Sequence, residues 1–141
     1  MNVKPKISSS HISEILIVGG GLTGLVLAAA LGGAGVEVTI VDPIPKTKFL
    51  NPKFDGRTTA ISAGSRAALN VIGAWKYMEG QAAEILEIRV SDAYSPLFLH
   101  FDHADLDAGP VGFIVENQKI RTALFKSLEN LSTVKLRFGQ H

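Results

Sequence analysis

The sequence predicts an α/β fold in which a parallel sheet is built around a βαβ unit near the amino terminus. Residues 15–18 are four apolar residues, ILIV, of the kind found in buried parallel strands. Residues 22–34 are rich in alanine and leucine, as in a buried helix, and residues 36–41 form a second β-branched run. Because glycines separate the first run from the helix, the elements follow in the order of a βαβ unit.

The turn after the first strand carries Gly19, Gly21 and Gly24 at G-x-G-x-x-G spacing. In a dinucleotide-binding unit the first glycine permits a tight turn, the second lets a pyrophosphate approach the backbone, and the third allows close helix packing. The N–H groups and the positive end of the helix dipole would face the phosphates. Asp42 ends the second strand, where a carboxylate would accept from ribose hydroxyls and repel a 2′-phosphate. The pattern predicts a Rossmann-like dinucleotide site.

Two other interpretations of this segment stay open at this point. One is a glycine-rich helix start in a different α/β fold. The other is a membrane span, because residues 15–36 carry no charged residue and match the length of a bilayer helix. The glycines within the segment and its β-branched flanks favour the βαβ unit, so we predict no transmembrane helix.

Length and composition restrict the class of protein. A chain of 141 residues with 46% hydrophobic residues can bury one core, and a net charge of +1 argues against a nucleic-acid partner. The absence of cysteine excludes disulfides, thiolate catalysis and cysteine-based metal sites. Residues 1–13 are polar and basic, and we favour a flexible tail over an organelle transit peptide. We therefore predict one domain over residues 14–141.

The middle of the chain predicts a loop and then helices. Residues 43–56 contain three prolines and three lysines and are expected to form a long loop. Arg57 follows, and its guanidinium could pair with phosphate oxygens in a bidentate manner. Ser62 is placed to cap a helix over about residues 63–72, which Gly73 would end. Residues 75–78 suggest a further helical turn with Trp75 in the core.

The last third of the chain predicts a hairpin and a final strand–helix–strand unit. Residues 85–90 and 97–101 are strand-like and flank a turn, so we expect a β-hairpin inserted into the α/β fold. A strand over 112–115, a helix starting at Asn117 or Gln118 and running to about 131, and a strand over 132–138 follow. The strands that run from residues 15, 36 and 134 onward should lie side by side in one parallel sheet.

A group of histidines and carboxylates between residues 100 and 107 raises the question of a metal site. Its members are His100, Asp102, His103, Asp105 and Asp107. The spacing lacks the glycine and the final glutamate of a calcium loop, and the histidines are not at helical i, i+4 spacing. We therefore predict a polar surface loop and no metal.

Four segments together resemble a known family. They are ILIVGGGLTGL, VTIVD, DGRTTAISAGSRAAL and GFIVENQKIRTALFKSL. They resemble the flavin-dependent aromatic hydroxylases, and within them the ubiquinone-biosynthesis hydroxylases of the 2-octaprenyl-6-methoxyphenol hydroxylase kind. Residues 55–62 and 115–117 are the most specific parts, and the resemblance covers nearly all of the chain beyond the tail.

The resemblance implies FAD as the bound nucleotide and gives each site residue an expected role. The pyrophosphate cradle would comprise Gly19, Gly20, Gly21, Leu22, Thr23 and Gly24. Asp42 would hold the adenosine ribose, although most members have glutamate there, so its reach is shorter. Arg57 would touch the pyrophosphate or the ribityl chain, and Gln118 would lie along the ribityl chain.

The resemblance also implies a reaction and a longer enzyme. NAD(P)H would reduce the flavin, and O₂ would then be used to hydroxylate the phenolic ring of a prenylated quinone precursor. We can name no catalytic side chain in this sequence. Family members also carry a second flavin motif and a substrate-binding sheet. We therefore expect this chain to correspond to the amino-terminal portion of such an enzyme and to be inactive alone. For a bacterial protein, we expect a location in the cytoplasm or at the periphery of the inner membrane, where it could associate with a biosynthetic complex. For a eukaryotic protein, we expect the matrix side of the mitochondrion.

Two rival functions belong to other classes. An NAD-linked dehydrogenase half-domain would bind a nicotinamide dinucleotide and no flavin. A non-catalytic nucleotide-binding or interaction protein would bind a partner through uncovered strands. Flavin absorbance of the purified protein distinguishes the first of these from the flavoprotein.

Overall fold

The computed structural model describes residues 13–50, 56–92, 97–105 and 109–139. The strands are β1 (Ile15–Val18), β2 (Val38–Asp42), β3 (Thr58–Ser62), β4 (Ala83–Ile85), β5 (Glu87–Ser91), β6 (Phe98–Asp102), β7 (Gly112–Glu116) and β8 (Val134–Phe138). The helices are α1 (Leu22–Gly33), α2 (Lys46–Phe49), α3 (Ala63–Val71) and α4 (Asn117–Leu128). Short 3-10 turns lie at Trp75–Tyr77, Glu79–Gln81 and His103–Asp105.

The predicted parallel sheet is present, with strand order β1-β2-β8. Ile15 is opposite Val38, and Val38 is opposite Val134, so all three strands run in register with their carboxyl ends at one edge. The α/β class and the βαβ unit are thereby confirmed, and the predicted hairpin is present as β5 paired with β6. In open parallel sheets ligands bind outside the carboxyl ends of the strands, and here that edge carries the glycine turn.

The core lies between this sheet and the pair α1 and α4. α1 contributes Leu25, Ala28 and Ala29, all buried, and α4 contributes its predicted apolar stripe. The buried members of that stripe are Ile120, Ala123, Leu124, Phe125 and Leu128. α1 lies so close to the sheet that a Cβ on Gly32 would be 2.3 Å from Val134 Cγ2.

A second, antiparallel sheet with order β3-β7-β4 was not predicted as a sheet. β3 was missed because Thr58–Ser62 shows no clear apolar alternation, and only Ile61 in it is buried. β7 was expected, and it pairs with β3 along its full length, from Thr58 opposite Glu116 to Ser62 opposite Gly112. This pairing brings the start of β3 next to the start of α4.

Several boundaries differ from the sequence-based expectation, among them the starts of β2 and β8, which were expected at residues 36 and 132. The predicted loop over residues 43–56 contains α2, which begins after Pro45, while residues 51–55 lie outside the described residues. The single strand predicted over 85–90 is divided at Leu86 into β4, which pairs with β7, and β5, which pairs with β6. The predicted helix to residue 131 ends at Leu128, and the following turn leads into β8.

The region around α3 agrees with the prediction. The Ser65 N–H donates to Ser62 Oγ over 3.2 Å, which caps the helix, and Gly73 follows it with φ +70°. Trp75 is buried and meets the Phe113 ring edge-on at 5.0 Å between centroids. It is a core residue, as expected.

The hairpin of β5 and β6 stands apart from both other sheets. Ile88 pairs with Phe101 and Val90 pairs with Leu99, so these four apolar side chains share one exposed face. In the part of the chain that the structure describes, no helix has the length and hydropathy needed to cross a bilayer.

The core predicts a large difference between two leucine truncations. Leu124→Ala should lower the free energy of unfolding by about 2–5 kcal/mol, because its side chain is fully buried and the change leaves a cavity. Leu16→Ala is the control, since Leu16 is 62% exposed and should cost less than about 1 kcal/mol. Urea denaturation measures both, and equal losses would contradict the placement of α4 in the core.

Candidate cofactor site

The glycine turn has the geometry that its spacing predicts. Gly19 has φ +106°, which L-residues with side chains rarely adopt, and its N–H donates to the Val41 carbonyl over 2.9 Å. A Cβ on Gly24 would lie 2.1 Å from the Gly19 carbonyl oxygen, so only glycine allows α1 to approach the turn this closely. A Cβ on Gly21 would have nothing within 4 Å, so the space above that residue is open.

The amino end of α1 is left available for an anion. Gly21 is its N-cap residue and supplies no side-chain hydrogen bond, and the first turn, which contains Leu22, Thr23 and Gly24, carries no acidic residue. The first N–H groups of any α-helix lack intrahelical acceptors, and the helix dipole adds positive potential at this end. A phosphate group would satisfy these donors.

Asp42 points into the fold at the end of β2. Its Oδ2 accepts from the Gly20 N–H over 2.7 Å, and its Oδ1 accepts from the Ile44 N–H over 2.7 Å. The residue is only 8% exposed. The predicted contact of Asp42 with a ribose stays a prediction, and the residue demonstrably ties the glycine turn to the bend after β2.

The structure brings Arg57 and Gln118 to one place. The Asn117 N–H donates to the Arg57 carbonyl over 3.0 Å, and Thr59 Oγ1 donates to Asn117 Oδ1. Gln118 is the next residue of α4, so both predicted ribityl-side residues lie where β3 and α4 begin. The sequence did not predict that Thr59 and Asn117 join these two segments, because their hydrogen bond connects residues 58 positions apart in the chain.

A cavity of about 430 Å³ lies among α1, β3, α3 and the first turn of α4. Its lining is mainly apolar and comprises Leu22, Thr23, Val26, Thr59, Ala60, Ile61, Ser65, Ala68, Leu69 and Ile120. Leu22 and Thr23 come from the first turn of α1, and Thr59 comes from β3. Small-molecule sites commonly have this size and a few polar groups in an apolar lining.

The group considered as a metal site is not a loop, which corrects the prediction. His100 and Asp102 belong to β6, where Glu87 of β5 faces them, and the ligand atoms of these three lie within 4.8 Å of one another. A hydrogen bond from His100 lowers the pKa of the Glu87 carboxyl, and Arg89 contributes further. The Ala104 N–H bonded to Asp102 lowers the pKa of that carboxyl. Asp107 lies outside the described residues, and the prediction of no metal stays a prediction.

Phe138 is a site neighbour that sequence reasoning did not find. A Cβ on Gly20 would lie 2.3 Å from Phe138 Cε1, so this ring occupies the space beside the turn. It contacts Phe49 and Phe125 with centroids 5.4 and 5.6 Å away. The three rings therefore form a support for the turn, built from α2, α4 and β8.

The chain belongs to the family of FAD binding domains, whose model matches residues 13–140. Its relatives include the ubiquinone hydroxylase UbiL of Rhodospirillum rubrum, which is 40% identical over 92% of this chain and 30% of that protein. The 3-demethoxyubiquinol 3-hydroxylase of Escherichia coli is 32% identical over 89% of this chain and 32% of its own length. The chain thus spans about a third of the length of these curated relatives.

Solved structures agree on the fold. The p-nitrophenol 4-monooxygenase PnpA of Pseudomonas putida superposes with a TM-score of 0.66 and 23% identity, over 91% of this chain and 31% of that one. The flavin-dependent monooxygenase PieE, solved with FAD and substrate, gives 0.64 and 18% over 90% and 24%. The fold is that of the FAD-binding part of flavin monooxygenases.

The contact between α1 and the turn predicts different outcomes for two glycines of the same helix. Gly24→Ala should destabilise the protein by about 1–3 kcal/mol, because its Cβ would overlap the Gly19 carbonyl. Gly33→Ala meets no atom within 4 Å and should be neutral or stabilising by up to about 1 kcal/mol. Thermal unfolding followed by circular dichroism compares them, and equal midpoints would contradict the close approach.

Proposed function

We propose that this chain is the FAD-binding part of a flavoprotein monooxygenase that hydroxylates the aromatic ring of a prenylated ubiquinone precursor. The observation that carries the proposal is the glycine turn at the amino end of α1, with Gly24 against the Gly19 carbonyl and open space above Gly21. The family of FAD binding domains and relatives named as ubiquinone hydroxylases support it. Because the relatives are about three times longer, the reaction belongs to a longer protein of this kind.

The residues present fit the pyrophosphate of FAD. Residues Gly19, Gly20, Gly21, Leu22, Thr23 and Gly24 form the cradle at the start of α1, where N–H groups lack side-chain caps. Arg57 lies two residues before the cavity-lining Thr59 and Gln118 two residues before the cavity-lining Ile120, which supports the proposal that Arg57 binds phosphate oxygens and Gln118 the ribityl chain. The mainly apolar lining of the cavity would keep water away from the part of a dinucleotide that enters it.

The flavin supplies the redox and oxygen chemistry of such enzymes, with NAD(P)H as reductant. The part of this chain is to bind the nucleotide, fix its direction along the cavity and hold water away from it. We assign no proton transfer to a side chain of this sequence. The prenylated phenol and O₂ are proposed substrates of the longer protein, and a location peripheral to the bacterial inner membrane, in the cytoplasm, or in the mitochondrial matrix fits the range of relatives.

Binding of FAD is tested directly with the purified chain. Titration of FAD with the chain should quench the flavin fluorescence. After desalting, the chain should still show the yellow absorbance of bound FAD. Retention of a nicotinamide dinucleotide and not of FAD would favour a dehydrogenase half-domain and refute the proposal.

Gly21→Val should abolish FAD binding while leaving the helix content unchanged. The valine side chain enters the open space where the pyrophosphate would approach, and φ at this residue is −71°, which valine tolerates. Gly33→Val places the same side chain in open space at the other end of α1 and should bind FAD like the parent. Fluorescence titration and circular dichroism measure the two properties, and parental affinity in Gly21→Val would refute the cradle.

Arg57→Ala should weaken FAD binding by about tenfold or more, because a charged hydrogen bond to phosphate is lost. Arg57→Lys should restore part of the affinity, since lysine keeps the charge without the planar fork. Arg89→Ala in the hairpin is the control and should have no effect, as that arginine pairs with Glu87. Isothermal titration calorimetry compares the affinities of the parent and the three variants for FAD. A parental affinity in Arg57→Ala would show that Arg57 does not contact the nucleotide.

A further inference from the structure

The middle glycine of the turn is enclosed on the side that faces the end of β8. A Cβ built on Gly20 would overlap the Cε1 and Cζ atoms of Phe138, far inside the roughly 3.5–4.0 Å at which carbon atoms make favourable contact. Cβ atoms built on its neighbours Gly19 and Gly21 would have nothing within 4 Å. The steric restriction at Gly20 therefore comes from this one ring and not from crowding of the whole turn.

The Phe138 ring is held in place by two other rings. Phe49 of α2 meets it almost perpendicularly, with centroids 5.4 Å apart and an interplanar angle of 86°, and Phe125 of α4 meets it at 5.6 Å and 63°. Phe49 and Phe125 also meet each other edge-on, at 6.3 Å, so the three rings form a closed set. Because aromatic pairs favour such edge-to-face arrangements, a rotation of Phe138 away from Gly20 would lose both of its ring contacts.

Two cations stabilise the outer members of this set. The Arg121 guanidinium lies 5.6 Å from the centre of the Phe49 ring, and Lys46 Nζ lies 5.1 Å from the centre of the Phe125 ring. Arg121 also donates to the Phe49 carbonyl over 3.4 Å. These contacts attach α2 to α4, and they thereby fix the two rings against which Phe138 rests.

The main chain of the turn is fixed by hydrogen bonds at the same place. The Gly20 N–H donates to Asp42 Oδ2 over 2.7 Å, and the Gly19 N–H donates to the Val41 carbonyl over 2.9 Å. Gly20 therefore cannot move away from the ring without breaking a hydrogen bond. Any displacement of Gly20 would pass to Gly21 and to the first N–H groups of α1, which are the donors expected to face a phosphate.

We propose that Phe138 is a positioning residue for the pyrophosphate cradle, which acts by fixing Gly20 and by restricting that position to glycine. The effect on affinity rests on the proposed nucleotide-binding function, whereas the contact between the ring and Gly20 does not. Phe138 acts through Gly20 and needs no contact of its own with the nucleotide. The ring belongs to the last strand of the sheet, so the carboxyl end of β8 takes part in shaping the turn after β1.

The contact is tested first in the parent protein without ligand. Nuclear Overhauser effects should connect one Hα proton of Gly20 with ring protons of Phe138, because that proton points where the Cβ would lie. The same proton should show a ring-current shift that disappears in Phe138→Leu. Absence of the Overhauser effects would overturn the inference, and this measurement does not depend on FAD.

The positioning role is tested by measuring the affinity for FAD in a double-mutant cycle. Gly20→Ala should weaken binding about tenfold, because the new methyl group collides with the ring and displaces the turn. Phe138→Leu should weaken binding by a smaller factor, because Gly20 loses its support. The double variant Gly20→Ala/Phe138→Leu should bind FAD more tightly than Gly20→Ala, since leucine lacks the ring atoms that collide.

Two controls locate the effect at this contact. A Cβ on Gly21 meets no atom of the chain, so Phe138→Leu should restore none of the affinity that Gly21→Ala loses. Phe98→Leu is the same change at a position of β6 that is 60% exposed, and it should bind FAD like the parent.

The remaining outcomes would overturn the proposal in different ways. Parental affinity in Gly20→Ala would show that the ring moves aside without effect, and a double variant no better than Gly20→Ala would show that the ring is not the obstacle. If the unfolding midpoints change but all affinities stay parental, Phe138 is a purely structural residue. If the parent binds no FAD, the proposed function fails, while the Overhauser effects and the midpoints of the same cycle still decide whether Phe138 fixes Gly20.

Discussion

The distance between α1 and the parallel sheet is the constraint on which the rest of the structure depends. At Gly24 the helix backbone meets the Gly19 carbonyl, and at Gly32 it meets Val134, each closer than a side chain would allow. The helix is therefore held near both of its ends by contacts that only glycine permits. The direction of its first N–H groups is set by this packing, before any ligand arrives.

The two three-stranded sheets each position a different part of the candidate site. The glycine turn follows β1 of the parallel sheet, and Arg57 directly precedes β3 of the antiparallel sheet. β7 runs directly into α4, whose buried side fills the core next to α1 and whose first turn contains Gln118. Packing of α4 in the core and the position of Gln118 near Arg57 are thus consequences of one helix position. A disturbance of that helix would therefore change the stability of the fold and the position of Gln118 together.

Local sequence patterns predicted the elements whose own residues decide their structure. The βαβ unit, the cap at Ser62 and the stripe of α4 follow from spacing and residue type within one segment. β3 was not predicted, because its pairing partner β7 lies far along the chain and Ile61 is its only buried residue. The division of β4 from β5 at Leu86 also depends on a distant contact, since the Leu86 carbonyl accepts from the His103 N–H.

The site shows the same distinction. The glycine positions were predictable because a nucleotide-binding turn has a fixed spacing, and Arg57 and Gln118 were named from a family resemblance. The inward direction of Asp42 could not be predicted, because its acceptor role depends on where the Gly20 and Ile44 amides come to lie. Neither could the support from Phe138, whose ring neighbours Phe49 and Phe125 come from two other elements, α2 and α4.

The hairpin of β5 and β6 gives the molecule two levels of local stability. None of its described residues belongs to the buried core, and its charged pairs, such as Glu87 with Arg89, are exposed and contribute little. Isolated two-stranded hairpins are marginal in water. The hairpin can therefore unfold locally while the parallel sheet, α1 and α4 stay folded. We expect its amide hydrogens to exchange with solvent much faster than those of β2.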